Sequence, residues 1–253
     1  MKKIIIAAMC LFIFCGCQLN QKNNESVDTS SINQSSSSTS DTSSIKQPKE
    51  ESIVTYPSGS LLQAVSANDL KKAEEILKDK SYQIDEVNEK AETPLMIAVH
   101  NNQVELAKKL IDAGANVNQQ DNIQDSPYLF AGAEGRTEIL SYMLAQNTPN
   151  QAITNRFGGN ALIPAAEKGH LENVKILLMD GRVDVNHQND YGYTALIEAV
   201  ALRDGSQVYQ DIVAELLNHG ADPNIVDNYG KSAKDYANEL GYGNISRMLQ
   251  EKS

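Results

Sequence analysis

The residues of this 253-residue chain that could do chemistry are few and widely separated. Its three cysteines, Cys10, Cys15 and Cys17, all lie in the first seventeen positions. Everything after them is therefore without a thiolate zinc ligand, a cysteine nucleophile or a disulfide framework. The four histidines, His100, His170, His187 and His219, fall far apart, and none forms a pair at metal-ligand spacing. Gly230-Lys231-Ser232 has the end of a phosphate-binding loop, but Ile225 stands where that loop needs a glycine. Ser43-x-x-Lys46 imitates a serine–lysine nucleophile pair, inside a stretch so rich in serine that the spacing arises by chance. Two Asp/Asn-rich turns have the flavour of calcium loops. From Asp222 the sixth and twelfth positions are Asp227 and Ala233, and from Asp184 they are Asn189 and Ala195. A calcium loop wants Gly and Glu there, and Asp and Asn are in any case ordinary turn residues. The expectation is a protein with no catalytic residue, no cofactor and no metal.

Charge narrows the partners. The chain carries 22 Lys plus Arg against 33 Asp plus Glu, a net charge of −11. Residues 1–57 hold five basic and five acidic side chains, so the whole excess falls in residues 58–253. Such a surface repels phosphate backbones, which excludes nucleic-acid binding and favours a basic protein partner.

The elements that would position any site divide the chain in three. Met1-Lys2-Lys3 precedes eleven apolar residues, Ile4 to Phe14, and then Cys15-Gly16-Cys17. A basic start, a short apolar run and a small residue before a break describe an export signal, and a membrane span would need about 20 apolar residues. Its end resembles the lipobox of bacterial lipoproteins, with Gly16 at the last signal position, although Phe14 and Cys15 replace the usual Leu and small residue. The resemblance implies lipidation of Cys17 (diacylglycerol on its sulfur, an acyl chain such as palmitate on its new amino group), cleavage after residue 16 and attachment to a membrane. Two or three acyl chains give stable anchoring where one does not. The mature chain would be extracytoplasmic, on the outer face of the cell membrane or, with two membranes, periplasmic or in the outer membrane, where Gln18 permits sorting.

Residues 17–57 then read as a tether. Positions 26–45 alone hold ten Ser and three Thr, too little apolar surface to offset the entropy of ordering. As a flexible coil, forty such residues span roughly 35 Å.

From residue 58 the chain repeats itself. Thr93-Pro94-Leu95, Ser126-Pro127-Tyr128, Asn160-Ala161-Leu162 and Thr194-Ala195-Leu196 begin 33, 34 and 34 residues apart. Each is followed at one offset by Ala98, Ala131, Ala165 or Ala199, and then by an apolar pair: Leu110-Ile111, Met143-Leu144, Leu177-Leu178 or Leu216-Leu217. Glycines 114, 181 and 220 follow. Thr or Ser caps a first helix, Pro sits where its missing N–H costs nothing, Ala lets two helices approach, and glycine closes the second helix. No unit can bury both helices alone, so neighbours must stack.

These residues resemble the ankyrin repeat over about 190 residues. The expected fold is an all-α repeat solenoid: an ankyrin array of about six helix-turn-helix units with β-hairpin tips, after a disordered N-terminal tether. The domains expected are 1–16 signal, 17–57 lipidated Cys17 and linker, and 58–253 the array. Units lie near 58–87, 88–120, 121–154, 155–188, 189–226 and 227–253, the outer two being more polar caps. Met96, Leu129, Ile163 and Ile197 occupy the family's His position, so apolar packing should replace its hydrogen bonds. Pro164 falls a turn inside one first helix, and Arg203 to Val208 reads as an enlarged turn.

The resemblance implies recognition by the concave face, through hairpin tips and the exposed side of first helices. The third tip residue of successive units is Lys90, Ile123, Phe157, Tyr191 and Tyr229, with Tyr193 two beyond Tyr191. Aromatic anchors dominate interface energetics, though such rings can also stiffen an array by packing on each other. Glu134, Arg156, Lys168 and Asp190 belong to the polar rim. The expected function is a membrane-tethered, monomeric scaffold that binds a protein, in the manner of an immunity protein or inhibitor. The alternative is a structural or protective organiser of envelope components, with an enzyme a distant third.

Overall fold

The computed structural model of the protein describes residues 55–146 and 149–252. The expected signal, Cys17 and all of the expected tether except residues 55–57 lie outside them.

The described residues form six pairs of antiparallel helices. The first helices are α1 (Ser60–Ser66), α3 (Pro94–His100), α5 (Pro127–Ala133), α7 (Leu162–Glu167), α9 (Ala195–Ala201) and α11 (Ala233–Leu240). The second helices are α2 (Leu70–Ile76), α4 (Val104–Asp112), α6 (Thr137–Ala145), α8 (Leu171–Asp180), α10 (Gln207–Asn218) and α12 (Gly243–Glu251). Each first helix packs on the first helices of its neighbours, and the second helices likewise, which is the stacking the repeats demand.

Local chemistry sets the first helices. The hydroxyls of Thr93, Ser126 and Thr194 accept from the N–H of Met96, Leu129 and Ile197 at 3.1, 3.2 and 3.2 Å. Ser232 and Asp235 form a reciprocal capping box. Each such cap stabilises its helix by about 1 kcal/mol. In the fourth pair Asn160 takes the role, its Oδ1 accepting from Leu162 and Ile163 N–H at 3.1 and 3.3 Å. Pro164 lies in that same first turn, where an N–H has no helical partner, so its ring breaks nothing.

The core is continuous along the stack. Ala98, Ala131, Ala165 and Ala199 are fully buried between helices, with Leu110, Met143, Leu177 and Leu216 beneath them. Met96, Leu129, Ile163 and Ile197 are buried too, so apolar packing does stand in the family's His position. Tyr128 is buried with its hydroxyl donating to Gln151 Oε1 at 2.7 Å, and burial pushes its pKa to about 12.

Two details depart from the sequence reading. The tips are tight turns rather than strand pairs: among the described residues the only β-pairing is an isolated antiparallel bridge between Val226 and Ser232. The cause is a side chain that takes up the tip amides, described below. The insertion after α9 is also shared out differently. Gln207 and Val208 belong to α10, which is lengthened to 12 residues, and the turn proper is Leu202 to Ser206. Tyr242 covers that turn, its hydroxyl donating to the Arg203 carbonyl, and a Cβ on Gly205 would meet the Tyr242 ring at 2.7 Å.

Candidate functional site

Five fingers precede α3, α5, α7, α9 and α11, and all five are built on one device. The side-chain Oδ1 of Asn88, Asp121, Asn155, Asn189 or Asp227 accepts two backbone N–H bonds, from the residues two and four further on. For Asn88 these are Lys90 and Glu92 at 2.9 and 3.0 Å. Asp121 holds Ile123 and Asp125 at 2.9 and 3.0 Å, and Asn155 holds Phe157 and Gly159 at the same distances. Asn189 holds Tyr191 and Tyr193 at 3.0 and 2.9 Å, and Asp227 holds Tyr229 and Lys231 at 2.8 and 3.0 Å. Such Asx turns compete successfully with strand pairing for the same amides.

The residue after each expected anchor has positive φ: Ala91, Gln124, Gly158, Gly192 and Gly230, between 61° and 78°. The geometry turns the third tip residue outward. Ile123, Phe157, Tyr191 and Tyr229 are 52%, 44%, 37% and 72% exposed, and Lys90 is exposed as well. Val226 shares this exposure, one residue before the last clamp. In the sequence it is a valine outside the tip position, with no spacing repeated from unit to unit to mark it.

The fingers are tied to one another. Asn122 N–H donates to the Lys90 carbonyl at 3.0 Å, Asp190 N–H to that of Phe157 at 2.9 Å, and Asn228 N–H to that of Tyr191 at 3.1 Å. Between the second and third fingers, Gln120 Nε2 bridges the carbonyls of Gln124 and Thr154 at 2.7 and 2.8 Å.

The expected polar rim is largely occupied with itself. Arg156 pairs with Asp125 at 3.5 Å and lies 4.7 Å from the centre of the Phe157 ring. Lys168 pairs with Glu134, and Arg203 with Glu167. Lys231 pairs with Glu239 at 2.6 Å and lies 5.3 Å from the Tyr236 ring. Burial raises the Asp125 carboxyl pKa, with Arg156 opposing. Asp190 is exposed, and its carboxylate lies where a Cβ on Gly158 would meet it at 2.3 Å.

At the fourth and fifth fingers the rings associate. Tyr191 and Tyr193 centroids are 6.4 Å apart, and Tyr193 meets Tyr236 edge-on at 6.3 Å. Tyr236 donates to Asp227 Oδ2 at 2.5 Å, and burial together with that bond drives its pKa well above the usual phenol range. Tyr193 is half-buried, so it belongs to this packing rather than to the exposed row.

Among the described residues no three His, Cys, Asp or Glu side chains converge as metal ligands. Burial lowers the His100 and His170 pKa values; the His100 ring meets that of Phe130 at a tilt with centres 4.1 Å apart, and His170 fills the space beside Gly135.

A model of ankyrin repeats, three copies long, matches residues 61–153, 131–227 and 162–253. YahD of Escherichia coli (strain K12), described as an ankyrin repeat protein, is 38% identical over 166 residues, 66% of this chain and 82% of its own. The crystal structure of EF0377, an ankyrin repeat protein, aligns at TM-score 0.77 and 61% identity, covering 78% of this chain and 99% of that one. An ankyrin repeat domain from Acinetobacter baumannii AYE aligns at TM-score 0.74 and 44% identity, covering 77% and 97%.

Proposed function

Because this chain belongs to the ankyrin-repeat family, whose arrays serve as protein-interaction scaffolds, we propose that it is an exported, lipid-anchored recognition protein that binds another protein through its finger tips. One observation carries the reading. Four successive tips present Ile123, Phe157, Tyr191 and Tyr229 to solvent, each on a backbone clamped by an Asx side chain and tied to its neighbours. Rigid aromatic groups lose little entropy when a partner covers them, which suits anchoring. The Cys17 anchor and tether would hold this surface away from a membrane, and the array would act as a monomer. The acidity favours a basic partner, as for an immunity protein or inhibitor facing a secreted toxin or enzyme.

A second reading, an organiser of envelope components, draws support from the Arg156–Asp125 pair and the Tyr193–Tyr236 contact, which join neighbouring units and stiffen the array itself. Affinity capture from envelope and secreted fractions separates the two, using the wild-type chain beside a Phe157→Ala, Tyr191→Ala, Tyr229→Ala variant. Recognition predicts a protein retained by the wild type and lost from a variant of unchanged melting temperature. Equal retention by both, or a variant that melts early, favours the organiser.

A further inference from the structure

Glu198 departs from every equivalent residue in the array. Four residues beyond the caps the units carry Ile97, Phe130, Pro164, Glu198 and Tyr236. Glu198 is 6% exposed in the middle of α9. Its Oε1 accepts from Asn189 Nδ2 at 3.1 Å, while Oε2 is buried without a hydrogen-bond partner. The surroundings do not favour an ion. From α7 comes the like charge of Glu167, and from the turn after α9 comes Arg203, already paired to Glu167. From α10 the Tyr209 hydroxyl donates to the Glu167 carbonyl at 3.2 Å. On the side of α11 and the last finger stand Tyr193, Tyr236 and Asp227, another acid. A buried carboxylate with a free oxygen is far costlier than the neutral acid.

We propose that Glu198 is a proton-operated latch on the fourth finger. Neutral, it stays buried beneath Asn189, whose other side-chain atom clamps the Tyr191–Tyr193 tip; ionised, it accepts the Asn189 bond more strongly but must be hydrated, and the water drawn between α9 and the finger loosens the tip. The latch would regulate the recognition surface proposed above and in that sense rests on it, but its working parts are all intramolecular. Burial, with Glu167 adding to it, moves the Glu198 pKa to about 8, against the opposing Asn189 bond and Arg203. The finger is therefore held in neutral and acid solution and released at alkaline pH.

The test follows two signals in the full isotopically labelled chain between pH 5 and 10. One is the Glu198 carboxyl carbon. The other is the exchange protection of the Tyr191 and Tyr193 amides relative to the Phe157 amide, which Asn155 clamps in the same way. The expected result is a carboxyl titrating above pH 7, with relative protection falling about tenfold across that transition and staying flat in Glu198→Gln. A carboxyl titrating in the ordinary range of about 4 to 5 overturns the latch, as does a high titration with no change at the two tyrosines. Neither signal involves a partner, so a failed capture experiment would count against recognition alone.

Discussion

Asn189 joins Glu198 to the finger surface: its Nδ2 donates to Glu198 Oε1 at 3.1 Å while its Oδ1 accepts from Tyr191 and Tyr193 N–H at 3.0 and 2.9 Å. A buried acid and an exposed ring are thereby two hydrogen bonds apart, and the stability of the array acquires a pH dependence.

The sign follows from linkage. The Glu198 pKa is raised to about 8 in the folded chain and is near 4.5 when exposed, so between those values the folded state holds a proton the unfolded state has lost. Its contribution is complete below the lower value and lost as pH rises to the upper. The unfolding free energy of the wild type, from urea titrations, should fall from pH 5 to pH 8 by a few kcal/mol at most, while Glu198→Gln shows a flatter profile and is the more stable of the two at pH 9. Parallel profiles for the two proteins would refute this.

Clamp residues should tolerate exchange of Asn for Asp but not loss of the oxygen. Asn155→Ala leaves the Phe157 and Gly159 N–H groups without their acceptor and should cost about 1–2 kcal/mol. Asn155→Asp should cost much less, since Asp121 and Asp227 clamp their fingers with the same atom. Chemical denaturation of the two variants provides the comparison.

Positive φ at the tips gives opposite outcomes for glycine gained and glycine lost. Gln124 holds φ 62° with a side chain, so Gln124→Gly should stabilise by up to about 1 kcal/mol. Gly158→Ala combines φ 72° with a Cβ 2.3 Å from Asp190 Oδ1 and should destabilise, moving the fourth finger as well as the third. Melting curves of the pair decide it.

For the anchor, Cys17→Ser should shift the protein from the membrane fraction to the soluble extracytoplasmic fraction and abolish the mass added by acylation, with no change in the melting of the array. A wild-type chain without that mass would remove the tethered part of the proposal.

What the sequence disclosed and what it concealed divide along physical lines. Caps such as Thr93 and Ser126, the buried Ala98 series and the apolar pairs are local or periodic features, and each was readable from spacing alone. The clamps were readable in principle, since Asn88, Asp121, Asn155, Asn189 and Asp227 recur 33, 34, 34 and 38 residues apart, but they pass for ordinary turn residues until the amides are seen converging on them. Glu198 gave one signal, an acid at a position otherwise held by Ile97, Phe130, Pro164 and Tyr236. The pairing of Arg156 with Asp125 and of Lys168 with Glu134 was hidden, because it depends on how far one unit is shifted against the next. Those side chains read as a free rim and are in fact engaged across the stack.

The bonds from Asp190 to the Phe157 carbonyl and from Asn228 to the Tyr191 carbonyl use main-chain atoms alone. The distances among these three fingers are consequently indifferent to which side chain each carries at its tip. Lineages descending from such a chain, or a library made from it, could rewrite Ile123, Phe157, Tyr191 and Tyr229 singly and change what is bound while the comb that spaces them keeps its pitch.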